Sequence, residues 1–194
     1  MIWDGSKVIM FGGAGLNASY RNDLWWYEPI SNTWTEKITD NTAGSPPRRC
    51  THSMVWDGTR VIMFGAYGYS IYYNGHDPYL NDLWWYEPIS NTWTEKINAY
   101  IAGSPSLRTN RSMVWDGNRA IMFGAYNMFT GYKNDLWWYD PISNTWAEKI
   151  ADNTAGSPPQ RYSHTMVWDG SRVIMFGGYG VNDINKNDLW WYIP

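Results

Sequence analysis

Histidine, arginine and aspartate recur at matched places in this 194-residue sequence, and each is a side chain that can carry chemistry. His52 and His164 both stand two residues before a methionine of the same phrase, which suggests a paired-histidine metal site. Such a site needs further Cys, His or carboxylate ligands, and none recurs beside these two. We therefore predict no metal and no cofactor. The single cysteine, Cys50, excludes an intrachain disulfide.

An arginine stands five residues before the same methionine in three linkers, at Arg49, Arg108 and Arg161. If the linkers meet near an axis, these residues predict a channel mouth for an anionic ligand, because guanidinium groups donate paired hydrogen bonds. The alternative is structural, with each arginine bonding to loop carbonyls of a neighbouring repeat. The aspartates of a second phrase, such as Asp82 and Asp135, are expected to bond to turn amides, with calcium as an alternative ligand.

Catalysis would need a nucleophile with a base, a carboxylate pair or a metal site. The sequence has three His and one Cys, and it contains no nucleophile elbow, phosphate loop or zinc spacing. We predict that the protein is not an enzyme. Its net charge of −3 argues against nucleic acid and anionic membranes as partners. No apolar run reaches the roughly 18–20 residues that a membrane span needs.

An internal repeat must position these residues. The phrase MVWDG, or MIWDG, begins each of four copies, and NDLWWY follows in each. The copies are residues 1–53, 54–112, 113–165 and 166–194, and the last is incomplete. All 15 tryptophans fall in repeated phrases, so the aromatic excess reflects the architecture.

Each copy predicts four short β-strands, and no segment shows the apolar period of a helix. In the second copy the strands are MVW, then residues 60–65, 82–86 and 92–97. Asp57-Gly58 predicts a tight type I′ hairpin between the first two strands. Proline and Ser-Asn after the third strand predict a turn. The sequence therefore indicates an all-β fold.

A second strand that ends in Gly-Gly, followed by Tyr and Trp with six residues between them, resembles the kelch motif. The diglycine stands at Gly12-Gly13 and Gly177-Gly178. The Tyr–Trp spacing is matched by Tyr27/Trp34, Tyr86/Trp93 and Tyr139/Trp146. Copies two and three read Gly65-Ala66 and Gly124-Ala125 instead. Alanine at a position that needs positive φ costs strain, so we expect a local adjustment there.

The resemblance implies a kelch-type β-propeller built from four-stranded antiparallel blades, with a binding or scaffolding role. A minority of such proteins, similar to galactose oxidase, carry copper, which requires a Tyr–Cys crosslink and His ligands. Cys50 aligns with Thr109 and Tyr162 in other copies, so the cysteine belongs to one copy alone. The chain is predicted to be a single propeller or half of one. Two chains could share an eight-bladed ring as a homodimer, the chain could belong to a longer array, or it could close alone with four blades.

The loop between the second and third strands varies most between copies, and we predict that it forms the ligand-binding face. Tyrosine offers a large contact area at low entropic cost, which suits a protein or glycan ligand. The alternatives are that the rings only pack the loops onto the blades, or that the protein is a structural self-assembling repeat without a ligand. The low charge and single cysteine suit a secreted or cell-surface protein, with the compartment left open. The candidate residues are Tyr67, Tyr69, Tyr72, Tyr73, His76, Tyr126, Phe129, Tyr132 and Tyr179.

Overall fold

The computed structural model describes residues 1–16, 19–68 and 79–194. The chain divides into two compact units, residues 1–99 and 100–194. Nearly all of the regular structure in the described ranges is antiparallel β-strand, which confirms the all-β prediction. No helix in these ranges has the length and apolar character that a membrane crossing requires.

The first unit contains a four-stranded sheet and a five-stranded sheet, and we call the four main strands of each the first and second blades. The first blade orders its strands as in the chain: β1 (Ile2–Trp3), β2 (Val8–Ala14), β3 (Tyr20–Glu28) and β4 (Thr33–Ile38). The second blade is preceded by a short linker strand, β5 (Arg49–Cys50), and consists of β6 (Ser53–Trp56), β7 (Val61–Gly68), β8 (Tyr79–Glu87) and β9 (Thr92–Ile97). Strand β5 pairs with the far end of β7, and β6 pairs with its near end.

The second unit contains the third and fourth blades. The third blade comprises β10 (Ser112–Trp115), β11 (Ala120–Asn127), β12 (Gly131–Asp140) and β13 (Thr145–Ile150). The fourth copy forms β14 (Arg161–Tyr162), β15 (Thr165–Trp168), β16 (Val173–Phe176), β17 (Tyr179–Gly180), β18 (Ile184–Asn185) and β19 (Leu189–Tyr192). Its blade is the sheet β15-β16-β19, and β14-β17-β18 form a small sheet beyond it.

The predicted two-residue hairpin after the first strand was wrong. Trp56 pairs with Val61, so the connection has four residues, and the Asp57 backbone N–H donates to the Arg60 carbonyl at 3.1 Å. The Asp57 carboxylate accepts the backbone N–H groups of Thr59 and Arg60 at 2.8 and 2.9 Å. This side chain therefore closes the turn, and positive φ is needed only at Gly58 (φ 102°).

In the first three blades, the first residue of the Gly-Gly or Gly-Ala pair sits at a β-bulge in the second strand, and in the fourth copy Gly177 lies between β16 and β17. At Gly12, φ is 54°, and an added Cβ would lie 2.8 Å from the carbonyl oxygens of both Arg21 and Arg49. The second position of the pair does not require glycine in every copy. Ala125 occupies it with φ 139°, and Ala66 is not among the residues with positive φ. The bulge lets the strand continue beyond the glycine, which is why β7 ends at Gly68 and not at the predicted residue 65.

Each unit buries its core between the facing surfaces of its two blades. In the first unit, Phe11 of β2 and Leu24 of β3 pack with Met63 of β7 and Trp93 of β9. The Phe11 and Trp93 ring centroids are 4.8 Å apart. In the second unit, Phe123 of β11 and other third-blade residues pack with strands of the fourth blade. The blades are therefore stable through their contacts with each other, as expected for stacked repeats.

Candidate functional site

Four tyrosines form a continuous row across the loop ends of the third and fourth blades, which we call the tyrosine row: Tyr126, Tyr132, Tyr162 and Tyr179. Tyr126 and Tyr132 are opposite each other on β11 and β12, and Tyr162 and Tyr179 are opposite each other on β14 and β17. Tyr162 links the two pairs, with ring centroids 5.4 Å from Tyr126 and 5.7 Å from Tyr132. All four rings are half-buried, so the row presents an aromatic surface to solvent.

The hairpin tip beside the row carries two exposed apolar side chains, Met128 and Phe129, and the Phe129 side chain is 70% exposed. Asn127 holds the tip, because its Oδ1 accepts the backbone N–H groups of Phe129 and Thr130 at 2.7 and 3.2 Å. The Asn127 amide also donates to the Leu107 carbonyl at 2.8 Å. The tip is thus anchored to the linker and presents Phe129 on a fixed turn.

A cavity of about 530 Å³ adjoins the fourth-blade end of the row. Tyr162 and Tyr179 form one wall, and Phe176, Asn185 and Lys186 complete the lining with neighbouring backbone. The Lys186 backbone N–H donates to the Gly178 carbonyl at 2.8 Å, which ties the loop to the diglycine. The lining combines aromatic residues with one lysine, a combination that can accommodate a peptide side chain and an adjacent carboxylate.

In the first unit a buried ring lies among the corresponding tyrosines. The Tyr67 ring lies 5.4 Å from that of Tyr79, which is buried, and 5.9 Å from that of Tyr20. Cys50 pairs with Tyr67 in the strand register, and burial raises the pKa of its thiol. The interpretation that rings pack the loops onto the blades fits Tyr79. The candidate residues Tyr69, Tyr72, Tyr73 and His76 lie outside the described residues.

The three linker arginines are buried in ion pairs with the aspartates of the NDL phrase. Arg49 pairs with Asp82, Arg108 with Asp135 and Arg161 with Asp188, at nitrogen–oxygen distances of 2.6 to 2.8 Å. Each guanidinium also donates to two backbone carbonyls, one in its own linker and one at the first glycine of the Gly-Gly or Gly-Ala pair. This geometry fits the structural interpretation, in which the arginines bond to backbone carbonyls and bind no ligand. The guanidinium N–H groups are directed at aspartate carboxylates of the blade that follows the linker.

The expectation that the NDL aspartates bond to turn amides was wrong. Asp82 and Asp135 bind the linker arginines, and each also accepts the indole N–H of the tryptophan two residues later, at 2.7 Å for both Trp84 and Trp137. The neighbouring asparagine contacts the linker instead, since the Asn134 amide donates to the Pro158 carbonyl at 2.9 Å. The Asn-Asp dipeptide thus fixes the linker to the blade.

The two histidines pack in the cores of their own units. The His52 ring lies 5.7 Å from Phe11, and the His164 ring lies 5.5 Å from Phe123. Burial lowers the pKa of His164 to about 3, and the charge of Arg161 adds to this effect. Among residues 1–16, 19–68 and 79–194, no group of three or more His, Cys, Asp and Glu is placed to hold a metal ion.

Two contributors to this surface, Tyr162 and Lys186, were not predicted. The closeness of Tyr162 to Tyr132 depends on β14 pairing with β17, which no local pattern reveals. The available signal was that Tyr162 directly follows a linker arginine, at a place where the other copies have Cys50 and Thr109.

Comparison with known proteins adds the family. Residues 1–178 match the model described as the KLHDC2/KLHL20/DRC7 Kelch-repeats domain. The chain is 27% identical over 179 residues to Kelch domain-containing protein 3 of Homo sapiens, covering 90% of this chain and 45% of that protein. It is 28% identical over 193 residues to Putative adagio-like protein 2 of Oryza sativa subsp. japonica, covering 96% of this chain and 29% of that protein.

A third relative, the Dynein alpha chain, flagellar outer arm, of Chlamydomonas reinhardtii, is 29% identical over 155 residues, which are 77% of this chain and 3% of that protein. The chain thus spans less than half the length of each of these three relatives. Kelch repeats generally serve as protein-binding scaffolds. The family match covers most of the chain and confirms the resemblance carried by its diglycine and Tyr–Trp motifs, so this protein belongs to the Kelch-repeat family.

Proposed function

We propose that this protein is a non-catalytic scaffold that binds another protein on the loop face of its second unit. The observation that carries the proposal is the tyrosine row, in which strands β11, β12, β14 and β17 contribute rings 5.1 to 5.7 Å apart to one half-exposed surface. Rigid aromatic side chains with polar tips are enriched where proteins bind partners. The Phe129 tip and the cavity beside Tyr179 extend this surface on either side.

A protein ligand suits this face better than a glycan. Met128 and Phe129 expose apolar side chains, which gain most from contact with apolar side chains of a partner. Lys186 in the adjoining cavity supplies a charge that complements a carboxylate. We therefore expect the partner segment to combine an aromatic or aliphatic residue with an acidic one.

The test is selection of binders from a displayed library of short random peptides against the full chain. We expect the selected peptides to contain apolar and acidic residues, and to lose binding to the variants Phe129→Ala and Tyr162→Ala. The matched control is Ile142→Ala, which truncates a similarly exposed apolar residue in the turn between β12 and β13. Peptides that bind all three variants equally would overturn the proposal.

Self-association into a homodimer is a second candidate, favoured by exposed apolar side chains on the first and fourth blades. Phe176 and Leu189 are exposed on the fourth blade, and Trp3 and Trp34 are exposed on the first. The equivalents of Phe176 and Leu189 in the second blade, Phe64 and Leu83, are buried. Light scattering distinguishes the outcomes: twice the chain mass supports the dimer, and a monomer mass at high concentration excludes it.

A further inference from the structure

Three rings form the centre of the tyrosine row, where the third and fourth copies meet: Tyr126, Tyr132 and Tyr162. The Tyr132 and Tyr162 rings are inclined by only 29°, with centroids 5.7 Å apart. The Tyr126 ring lies 5.1 Å from that of Tyr132 and 5.4 Å from that of Tyr162. Each ring therefore contacts the other two. Because all three are half-buried, they form one aromatic surface, which we call the platform.

The cationic side chains next to the platform already have carboxylate partners. In β12 the ammonium group of Lys133 lies 3.0 Å from a carboxylate oxygen of Asp152. In β14 the guanidinium group of Arg161 is buried and lies 2.6 Å from a carboxylate oxygen of Asp188. The platform itself consists of rings and phenol hydroxyls. It therefore favours an uncharged segment, which can be buried without the cost of removing an ion from water.

The spacing of the rings matches the dimensions of a polyproline II helix. Such a helix advances roughly 6 Å over two residues and roughly 9 Å over three. Neighbouring ring centroids of the platform are 5.1 to 5.7 Å apart. Two prolines with one residue between them can therefore each pack against a different ring, since the two spacings differ by about 1 Å.

The phenol groups supply the polar part of such a contact. A tyrosine O–H can donate one hydrogen bond and also accept. The carbonyls of a polyproline II helix have no partner within the helix, so they accept hydrogen bonds from groups outside it. Proline also fixes φ before binding, so the segment loses little conformational entropy when it binds. Rigid rings with hydroxyl tips therefore suit a proline-rich segment better than a flexible aliphatic one.

The other copies do not reproduce the platform. In the first unit Cys50 stands at the place of Tyr162, and Tyr79, the equivalent of Tyr132, is buried. In the third copy Thr109 holds the same place and forms an antiparallel bridge with β11. The platform thus distinguishes one part of the loop face. Threonine at this place is also compatible with the strand pairing of a blade.

We propose, on the basis of the protein-binding function proposed above, that the platform binds a proline-rich segment of a partner protein. The segment is uncharged over the platform, adopts the polyproline II conformation and carries the pattern Pro-x-Pro. One proline packs on Tyr126 and the next on Tyr162, while phenol hydroxyls donate to carbonyls of the segment. The apolar residue expected at Phe129 and the acidic residue expected at Lys186 then flank the prolines.

The experiment is an NMR titration of the full chain, with isotope-labelled tyrosine rings, against capped decaproline. We expect saturable shifts of tyrosine ring signals. A capped decapeptide of alternating glycine and serine is equally uncharged but flexible, so it should bind at least about tenfold more weakly. Equal binding of the two peptides, or no saturable binding of decaproline, would overturn the proposal.

Three variants locate the site. Tyr162→Thr installs the residue that the third copy carries at this place, so it should keep the strand content measured by circular dichroism and lose decaproline binding. Tyr132→Leu keeps apolar bulk and removes a second ring, so binding should weaken there too. The control Ile142→Ala should bind like the parent chain. Unchanged binding to both tyrosine variants would place decaproline elsewhere and overturn the proposal.

The peptide selection described above separates this proposal from the proposed function. Selected peptides that contain Pro-x-Pro and fail to bind Tyr162→Thr support both. Selected peptides that lack proline and still fail to bind Tyr162→Thr would overturn the proline-rich partner and leave the protein-binding function in place. Selected peptides that bind Tyr162→Thr and the parent chain equally would overturn both.

Discussion

Arg49 and Asp82 form a two-pronged ion pair in which both side chains are fully buried. Nη1 lies 2.8 Å from Oδ1, and Nη2 lies 2.6 Å from Oδ2. Strand β5, which carries Arg49, contacts β2 and β3 of the first blade and pairs with β7 of the second. The pair therefore lies where the linker joins two blades, and it neutralises the arginine charge inside the unit.

We expect Asp82→Ala to lower the free energy of unfolding by about 3–5 kcal/mol, because it leaves the arginine buried without its counter-charge. The matched variant is Asp188→Ala, which removes the same partner from Arg161. The Asp188 side chain is 36% exposed, so water can reach that site and the loss should be smaller. Urea unfolding measures both. Equal losses, or a loss below about 1 kcal/mol for Asp82→Ala, would contradict a buried-charge penalty.

His164 should make the stability of the second unit depend on pH. Its folded pKa is lowered to about 3 by burial and by the Arg161 charge, below the ordinary value of about 6.5. Below pH 6.5 the unfolded chain binds a proton that the folded chain does not, so stability falls as pH decreases from about 6.5 towards 3. The slope approaches about 1.4 kcal/mol per pH unit.

The variant His164→Phe keeps an aromatic ring in the core and removes this titration. Urea unfolding at pH 7 and pH 5 should show a smaller loss of stability for the variant than for the parent chain. A variant with the same difference between the two pH values would show that another group is responsible.

The two tryptophans of each doublet have different surroundings. The Trp84 indole is buried and donates to Asp82, whereas Trp85 is stacked between Arg60 and Lys96, whose charged groups lie 3.5 and 4.2 Å from the ring centroid. We expect Trp84→Ala to cost about 3–5 kcal/mol of unfolding free energy. The equivalent of Trp85 in the last blade, Trp191, is 61% exposed, and Trp191→Ala should cost less than about 1 kcal/mol. Similar losses at both positions would disprove the difference in burial.

The two glycines of the bulge should differ in their tolerance of alanine. Gly12→Ala combines positive φ with a Cβ that collides with two carbonyl oxygens, so we expect a loss of about 2–5 kcal/mol. Gly13→Ala meets no atom within 4 Å and reproduces what stands at Ala125, so it should cost about 1 kcal/mol or less. Thermal and urea unfolding of the two variants give the comparison. A larger loss for Gly13→Ala would contradict it.

The strands could be predicted from the sequence where side-chain patterns set them. The prediction of residues 92–97 matches β9 to the residue, because a turn and a linker bound that strand. The second and third strands extend beyond their predicted ends, since the bulge allows pairing to resume after the glycine. The hairpin type was mispredicted because the Asp57 carboxylate, and not the backbone alone, determines the turn.

The candidate site could be predicted only in part. Variation between copies marked Tyr126, Tyr132 and Tyr179 as loop residues, but the structure places them in strands β11, β12 and β17. Their mutual contacts depend on which strands pair. The Arg49–Asp82 pair joins residues 33 positions apart, and no spacing rule within one strand connects them. The position of the Lys96 ammonium over the Trp85 ring likewise depends on the pairing of β8 with β9, so it could not be predicted from one strand alone.

The ion pairs also define where a repeat fragment should begin if it is to be grafted into another protein. A fragment from Arg49 to Leu107 contains both partners of one pair, whereas the repeat written from Met54 to Ser112 carries Asp82 and Arg108, which belong to different pairs. Grafting the second fragment into an unrelated host would import two mismatched charges, and grafting the first would import none. The natural boundary for recombining these repeats therefore lies at the linker arginine, five residues before the methionine of the MVWDG phrase that begins each copy.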